Sequence, residues 1–253
     1  MRSLKYEVQP VAEVDEASRD VMFALFERYY DAVDRSRFEA DLDAKDHVIL
    51  LRDNETHTIR GFSTLRRLTF EHEGVMHRGV YSGDTVIDKD YWGGSALGRA
   101  FLFYLLREWL RRPTKPLWWF LISKGYKTYL LMANNFEEHW PRFEASTPRE
   151  AKSIMDGFAQ QLFGDAYYPA PGLVRHANSL GHLREDIACI DEDLLAANPR
   201  VQFFQDSNPQ WSDGDELVCV ARMRWSMPFT YAWKKRRAFT LAITRPFHRL
   251  TST

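Results

Sequence analysis

Val21, Met22, Leu25, Phe26, Tyr29 and Val33 recur at helical spacing, which predicts an amphipathic helix over residues 18–33. A second, short helix is predicted over residues 37–44. The pattern then shortens to that of strands at 47–52, 60–70 and 76–87, separated by turns at Asp53-Asn54-Glu55 and Glu73-Gly74. A strongly apolar helix follows over 95–112, closed by Pro113 and Pro116. Residues 117–122 read Leu-Trp-Trp-Phe-Leu-Ile, apolar without alternation, as in a strand covered on both faces. Helices are predicted over 126–134 and 148–163, loop over 166–183 around Pro169, Pro171 and Gly172, and a short helix over 191–197. The segments 201–205 and 216–224 read as two strands of a hairpin turning through Asn208-Pro209 and Asp213-Gly214.

Strand 76–87, helix 95–112 and strand 117–122 make one βαβ unit, whose strands pair in parallel through a right-handed crossover. The strands before it form an antiparallel meander. The expected fold class is α/β in the α+β sense: a mixed, mostly antiparallel sheet with one parallel βαβ step and helices on both faces. No repeat or low-complexity stretch divides the chain. A single domain over 1–253 is expected, with a helical and loop insertion at about 145–198 and a basic, aromatic tail at 225–253.

Hydrophobic content of 45% and charged content of 27% are those of a water-soluble globular chain able to bury a substantial core. A net charge of −1 provides no general attraction to nucleic acid, and none is expected as a partner. The apolar run 100–106 is too short to span a bilayer, and the amino-terminal residues carry no apolar secretory core, so a cytoplasmic location is expected. Cys189 and Cys219 have neither metal-ligand nor disulfide spacing and read as reduced thiols. Aromatic content of 14%, with 8 Trp, points to large apolar pockets as well as core.

The chemistry concentrates between Val86 and Phe103, where an apolar strand passes through Gly93-Gly94 into the helix. A glycine-rich turn at a helix N-terminus presents unpaired backbone N–H groups and the positive end of the helix dipole, a seat for phosphate. The turn lacks the Gly-Lys-Ser/Thr ending of a nucleoside-triphosphate loop, since Gly98 is followed by Arg99 and Ala100. Its glycines do not fit the dinucleotide fingerprint either, and the strands before it are antiparallel.

The element order and the turn together resemble the GNAT superfamily of N-acyltransferases. Its signature runs Gln/Arg-x-x-Gly-x-Gly/Ala, often written out as Gln-Gly-x-Gly-Leu-Gly-Arg. On Gly93-Gly94-Ser95-Ala96-Leu97-Gly98-Arg99 the second glycine falls on Gly94, the fourth position on Ala96, then Leu97, Gly98 and Arg99. The first position, usually Gln or Arg, is Gly93.

The resemblance implies an acetyl- or longer acyl-coenzyme A, or an acyl-carrier thioester, with its pyrophosphate on Gly93, Gly94, Ser95, Ala96, Leu97, Gly98 and Arg99. Its pantetheine arm would lie on the backbone of Thr85, Val86 and Ile87, and no metal is implied. Asp84, just before those contacts, is the expected base for an amine acceptor. Glu71, Glu73, His72 and His77 flank the neighbouring turn, further from the cleft, and the two histidines do not form a convincing metal pair. The family's acid is a tyrosine about five residues before Gly-Phe. Here Leu131 stands five before Phe136, and Tyr129 is assigned the role. Asn134 and Asn135 are candidates for hydrogen bonds to the arm.

The tail carries Lys234-Lys235-Arg236-Arg237 among Trp225, Phe229, Tyr231, Trp233 and Phe239, a pattern suited to an acidic carrier protein, a peripheral membrane contact or RNA. The implied activity is N-acyl transfer by direct attack of a small-molecule or protein amine. The alternative is a GNAT-like protein that binds a ligand or partner without catalysis.

Overall fold

The computed structural model describes residues 3–30, 33–175 and 190–224; Cys189 and the basic tail over 225–253 lie outside them. Among the described residues, nine strands form one mixed sheet. Strands β1 (Leu4–Pro10), β2 (His47–Asp53), β3 (Ile59–His72) and β4 (Val75–Ile87) are antiparallel neighbours in that order. Strand β5 (Leu117–Ser123) pairs in parallel with β4, through the crossover helix α3 (Ala96–Arg111). Beyond β5 lies β9 (Glu216–Arg222), antiparallel to it, and against the far edge of β9 lie the two-residue strands β6 (His139–Trp140) and β8 (Leu173–Val174). Strand β7 (Tyr167–Tyr168) follows β8.

Side-chain alternation divides the core into two layers. Ile49, Leu51, Val80, Leu117, Trp119, Leu121 and Cys219 face α3, helix α4 (Tyr126–Asn135) and helix α7 (Pro199–Ser207). On the other face Val48, Leu50, Phe62 and Val86 meet helices α1 (Glu16–Glu27) and α2 (Arg35–Asp43). Beside them, Leu68, Tyr81, Trp118, Phe120, Val218 and Val220 pack against helix α5 (Arg149–Phe163). The unbroken apolar run of β5 follows from this arrangement, with odd positions serving one layer and even positions the other. Helix α3 commits Ala96, Leu97, Ala100, Phe101, Tyr104, Leu105 and Trp109 to the first layer, each large side chain contributing roughly 1.5–3 kcal/mol of burial.

Three sequence expectations change. Residues 201–205 are not a strand but part of α7. Asn198 caps that helix by accepting the Arg200 N–H at 3.1 Å, Pro199 takes its first position, and Val201 and Phe204 turn inward. There is therefore no 201–224 hairpin, and β9 pairs with β5 across a long sequence separation. Strand β1 was not anticipated, being a partly exposed edge strand paired, among the described residues, only with β2. Helix α1 starts on an Asp15 cap and stops at Glu27 rather than running to residue 33, so Tyr29 and Tyr30 leave its axis. In the segment 145–198, α5 packs on the sheet and β7 and β8 extend it.

Candidate functional site

Strands β4 and β5 pair only from Arg78↔Leu117 to Ser82↔Leu121, whereas β4 stays on β3 as far as Gly61↔Ile87. Past Ser82 the two parallel strands therefore fork, and the β5-side backbone edge of Gly83 to Ile87 has no pairing with β5. Backbone groups at such an edge are ready to take an extended ligand.

A cavity of about 490 Å³ opens from this fork into the α3–α4 layer. Thr85, Val86 and Ile87 form one wall, and Gly93, Gly94, Ser95, Leu97 and Gly98 line its mouth. Thus eight of the ten residues expected to hold the cofactor converge on one cavity. Ala96 is buried beneath the turn, and Arg99 is exposed on the first turn of α3; neither lines the wall.

The turn itself is built for close approach. Gly93 has φ +79°, a left-handed conformation that a side chain would strain. The Ser95 side chain makes no cap bond to the first-turn amides of α3. Trp92, 46% exposed, donates its indole N–H to the Ile87 carbonyl at 2.7 Å, and the Lys127 ammonium stands 4.7 Å from its ring centroid. That bond occupies one of the carbonyls assigned to a pantetheine arm. Lys127, on the first turn of α4, adds a cation to the cavity wall that the sequence reading had not named.

Asp84 follows the apex of the fork, half-buried, with its carboxyl toward Asp41 of α2; like Tyr129, it is absent from the cavity wall. Burial, then the neighbouring Asp41 carboxylate with which it shares a hydrogen bond, push its carboxyl up to about 7, against the pull of Lys45 and Lys124. Around it lie two ion pairs. Lys45, 8% exposed, binds the Asp41 carboxylate and lies 5.8 Å from the Tyr81 ring centroid. Lys124 lies 3.5 Å from the buried Glu216 carboxylate and 5.7 Å from the Tyr30 ring centroid. Gly83 leaves room for this arrangement, because a Cβ there would come within 2.6 Å of Thr64 Oγ1 and 3.0 Å of Lys45 Cε.

Tyr30 bridges the two sides. It lines the cavity, and burial followed by the charges of Asp84 and Glu216 raises its hydroxyl well above the usual tyrosine range, so it stays protonated. Tyr129 is elsewhere: it is 1% exposed, packs against Phe203 and Phe204, donates its hydroxyl to the Pro141 carbonyl at 3.2 Å, and is absent from the cavity wall. Asn135 lines the cavity with its amide held by the Leu131 carbonyl, while Asn134 accepts from Arg200. Glu71 and Glu73 are exposed at the β3–β4 turn, and His77 is buried, accepting the Trp118 indole N–H at 3.1 Å. No group of three or more metal-ligating side chains occurs among the described residues, and no helix there is long and apolar enough to cross a membrane.

No protein-family model and no curated protein sequence matches the chain. By structure, part of it is similar to solved acyltransferases. An acetyltransferase from Trypanosoma brucei is 18% identical, the match covering 57% of this chain and 100% of that one, with a TM-score of 0.38. A GCN5-related N-acetyltransferase from Kribbella flavida is 11% identical over 55% of this chain and 34% of that one, with a TM-score of 0.38. A probable N-acyltransferase from Enterococcus faecalis is 15% identical over 50% of this chain and 31% of that one, with a TM-score of 0.37. The last two matches span about a third of the solved chains. At these values no residue role is carried across.

Proposed function

We propose that this chain is an N-acyltransferase that takes its acyl group from an acyl-coenzyme A or a carrier-bound pantetheine thioester. The observation that carries the reading is the continuity of one cavity from the Gly93–Gly98 turn, along the Thr85–Ile87 stretch of β4 beyond its pairing with β5, to Tyr30, whose hydroxyl feels the Asp84 charge. A thioester laid along Thr85 and Val86 would bring its carbonyl to that fork, with phosphate at the α3 amides and Lys127. The amine would arrive from the α1–α2 side, where Asp84 stands with Asp41 and Glu216 and their ion-pair partners Lys45 and Lys124.

Asp84 takes the ammonium proton, directly or through water. The freed amine nitrogen attacks the thioester carbon, the N–C bond forms and the C–S bond breaks. Tyr30, kept protonated by its surroundings, hydrogen-bonds the acyl oxygen as charge develops there; the second proton of the attacking nitrogen then passes through the Tyr30 hydroxyl to the departing thiolate sulfur, leaving Tyr30 protonated as it began. The position of Tyr129 against Pro141 favours Tyr30 for this role.

The deciding experiment is titration of the full chain with coenzyme A, followed by thiol release from acetyl- and longer acyl-coenzyme A over a panel of amines. Binding with amine-dependent release supports the reading. Binding without release over any acceptor supports a catalytically silent binding protein, and absence of binding removes the thioester from the argument.

A further inference from the structure

We infer that the inner end of the cavity is a pocket for a long apolar acyl chain, so that the preferred donor carries an octanoyl or longer group rather than acetyl. The inference rests on the acyl-transfer reading above and specifies its donor.

The cavity does not end where an acetyl thioester would. It follows α3 inward through Leu97, Phe101, Leu102 and Leu105, positions that share one helix face and span about 12 Å at 1.5 Å per residue. Its inner walls are completed by Trp119 of β5 and by Leu131 and Phe136 of α4. Leu105 and Trp119 are 0% and 2% exposed, so the inner end is walled by closely packed core side chains. Trp119 also fixes where it lies. Its indole N–H donates at 2.8 Å to Ser82 Oγ, and Ser82 is the last β4 residue paired with β5. The inner end is thus beneath the apex of the fork, where an acyl chain would extend from a thioester lying along Thr85 and Val86.

Two polar groups at that end are engaged within the protein. The Trp119 indole serves Ser82, and the Asn135 amide N–H serves the Leu131 carbonyl. A polar acyl group there would forfeit hydrogen bonds to water without replacement, whereas a hydrocarbon chain has none to lose. The cavity as a whole is therefore amphipathic: helix amides and Lys127 at the mouth, hydrocarbon walls within. An anionic head joined to an apolar tail matches that polarity.

The test is equilibrium binding of coenzyme A and of its acetyl, octanoyl and dodecanoyl thioesters to the full chain by calorimetry. Each methylene fully buried should tighten binding roughly fourfold. Octanoyl-coenzyme A is expected to bind at least about a hundredfold more tightly than acetyl-coenzyme A, allowing for incomplete burial. Leu102→Trp, at a half-buried position, should fill the inner end and abolish that preference while leaving affinity for coenzyme A itself within about threefold. Leu131→Phe provides a second, milder block should the first variant fail to fold.

Equal affinity for all three thioesters, with coenzyme A still bound, would overturn the chain-length inference and leave the acyl-transfer reading intact. Retention of a chain-length preference in both folded variants would likewise overturn the pocket assigned here. Failure of coenzyme A and every thioester to bind would bring down both.

Discussion

Ser82 and Leu121 form the last pair that joins β4 to β5. Up to that pair, the parallel step is ordinary core, with Val80 and Trp119 inside one layer and Tyr81 and Phe120 inside the other. Past it, β4 remains on β3 while β5 remains on β9, and the strands separate. The split places a cavity lined by backbone, aliphatic and aromatic side chains on the α3–α4 face and a cluster of charged groups on the α2 face. Tyr30 lines the cavity, and Asp84 belongs to the charged cluster.

Asp84→Asn tests the base. An ordinary carboxyl ionises near 4 in the unfolded chain, whereas burial and Asp41 push that of Asp84 up to about 7. Between those values the folded state holds more protons than the unfolded one, so stability falls as pH rises from about 4 to about 7. The neutral variant escapes this loss. Its melting temperature is expected to match wild type near pH 4 and exceed it by a margin that widens up to about 7 and then levels off. Turnover moves the opposite way. Wild-type kcat should rise through about pH 7, and the variant should be flat and slower by a factor on the order of a hundred to ten thousand. An unchanged pH–rate profile in the variant would remove Asp84 from proton transfer.

The parts of this site that were readable in the sequence are local ones. Strand, glycine turn and helix from Val86 to Phe103 are contiguous, and the residues that hold the turn are those that form it. Asp84 was placed by its position on the same strand. Tyr30 was hidden because its relation to Asp84 is set by the end of α1 at Glu27, whereas the apolar pattern runs on to Val33. Lys127 reaches the mouth only because α4 packs beside α3. The partner of β5 was hidden too: β9 arrives from nearly a hundred residues away, and the intervening Val201 and Phe204 suit a helix face as well as a strand. Asn198-Pro199 was the available helix-start signal.

The two tyrosines separate by phenotype. Tyr129→Phe removes a hydroxyl bonded to the Pro141 carbonyl and should cost about 1 kcal/mol of stability with kcat retained. Tyr30→Phe removes the hydroxyl at the fork and should lower kcat about a hundredfold with little change in KM for the thioester. Melting curves and steady-state kinetics on the same preparations decide the matter. A large loss of kcat in Tyr129→Phe with Tyr30→Phe unaffected would return the acid role to Tyr129.

Gly61→Ala reaches the site through the backbone. A Cβ at Gly61 would lie 2.8 Å from the Val86 carbonyl oxygen and 3.0 Å from Leu51 Cδ1. The first is main chain and cannot rotate away, so β3 must move from β4 at the residues expected to hold the arm. Overpacking of this kind typically costs about 1–3 kcal/mol. Both the melting temperature and the affinity for coenzyme A should fall. A stability loss with coenzyme A affinity unchanged would argue that the arm does not use the Val86 edge.

Lys127→Ala tests the mouth. The Lys127 ammonium lies 4.7 Å from the Trp92 ring centroid, on the cavity wall beside the first-turn amides of α3, where the phosphates of coenzyme A are expected. One partly exposed cation there is worth about 1 kcal/mol to a bound anion, or roughly a fivefold loss of affinity for coenzyme A on removal. Because the contact is open to solvent, the difference between variant and wild type should shrink as salt approaches 1 M, where charges are screened beyond about 3 Å. Dephospho-coenzyme A and pantetheine, titrated alongside, locate the effect. If Lys127 acts on the pyrophosphate, the loss persists with dephospho-coenzyme A and vanishes with pantetheine; a loss that persists with pantetheine would assign Lys127 to packing against Trp92 instead.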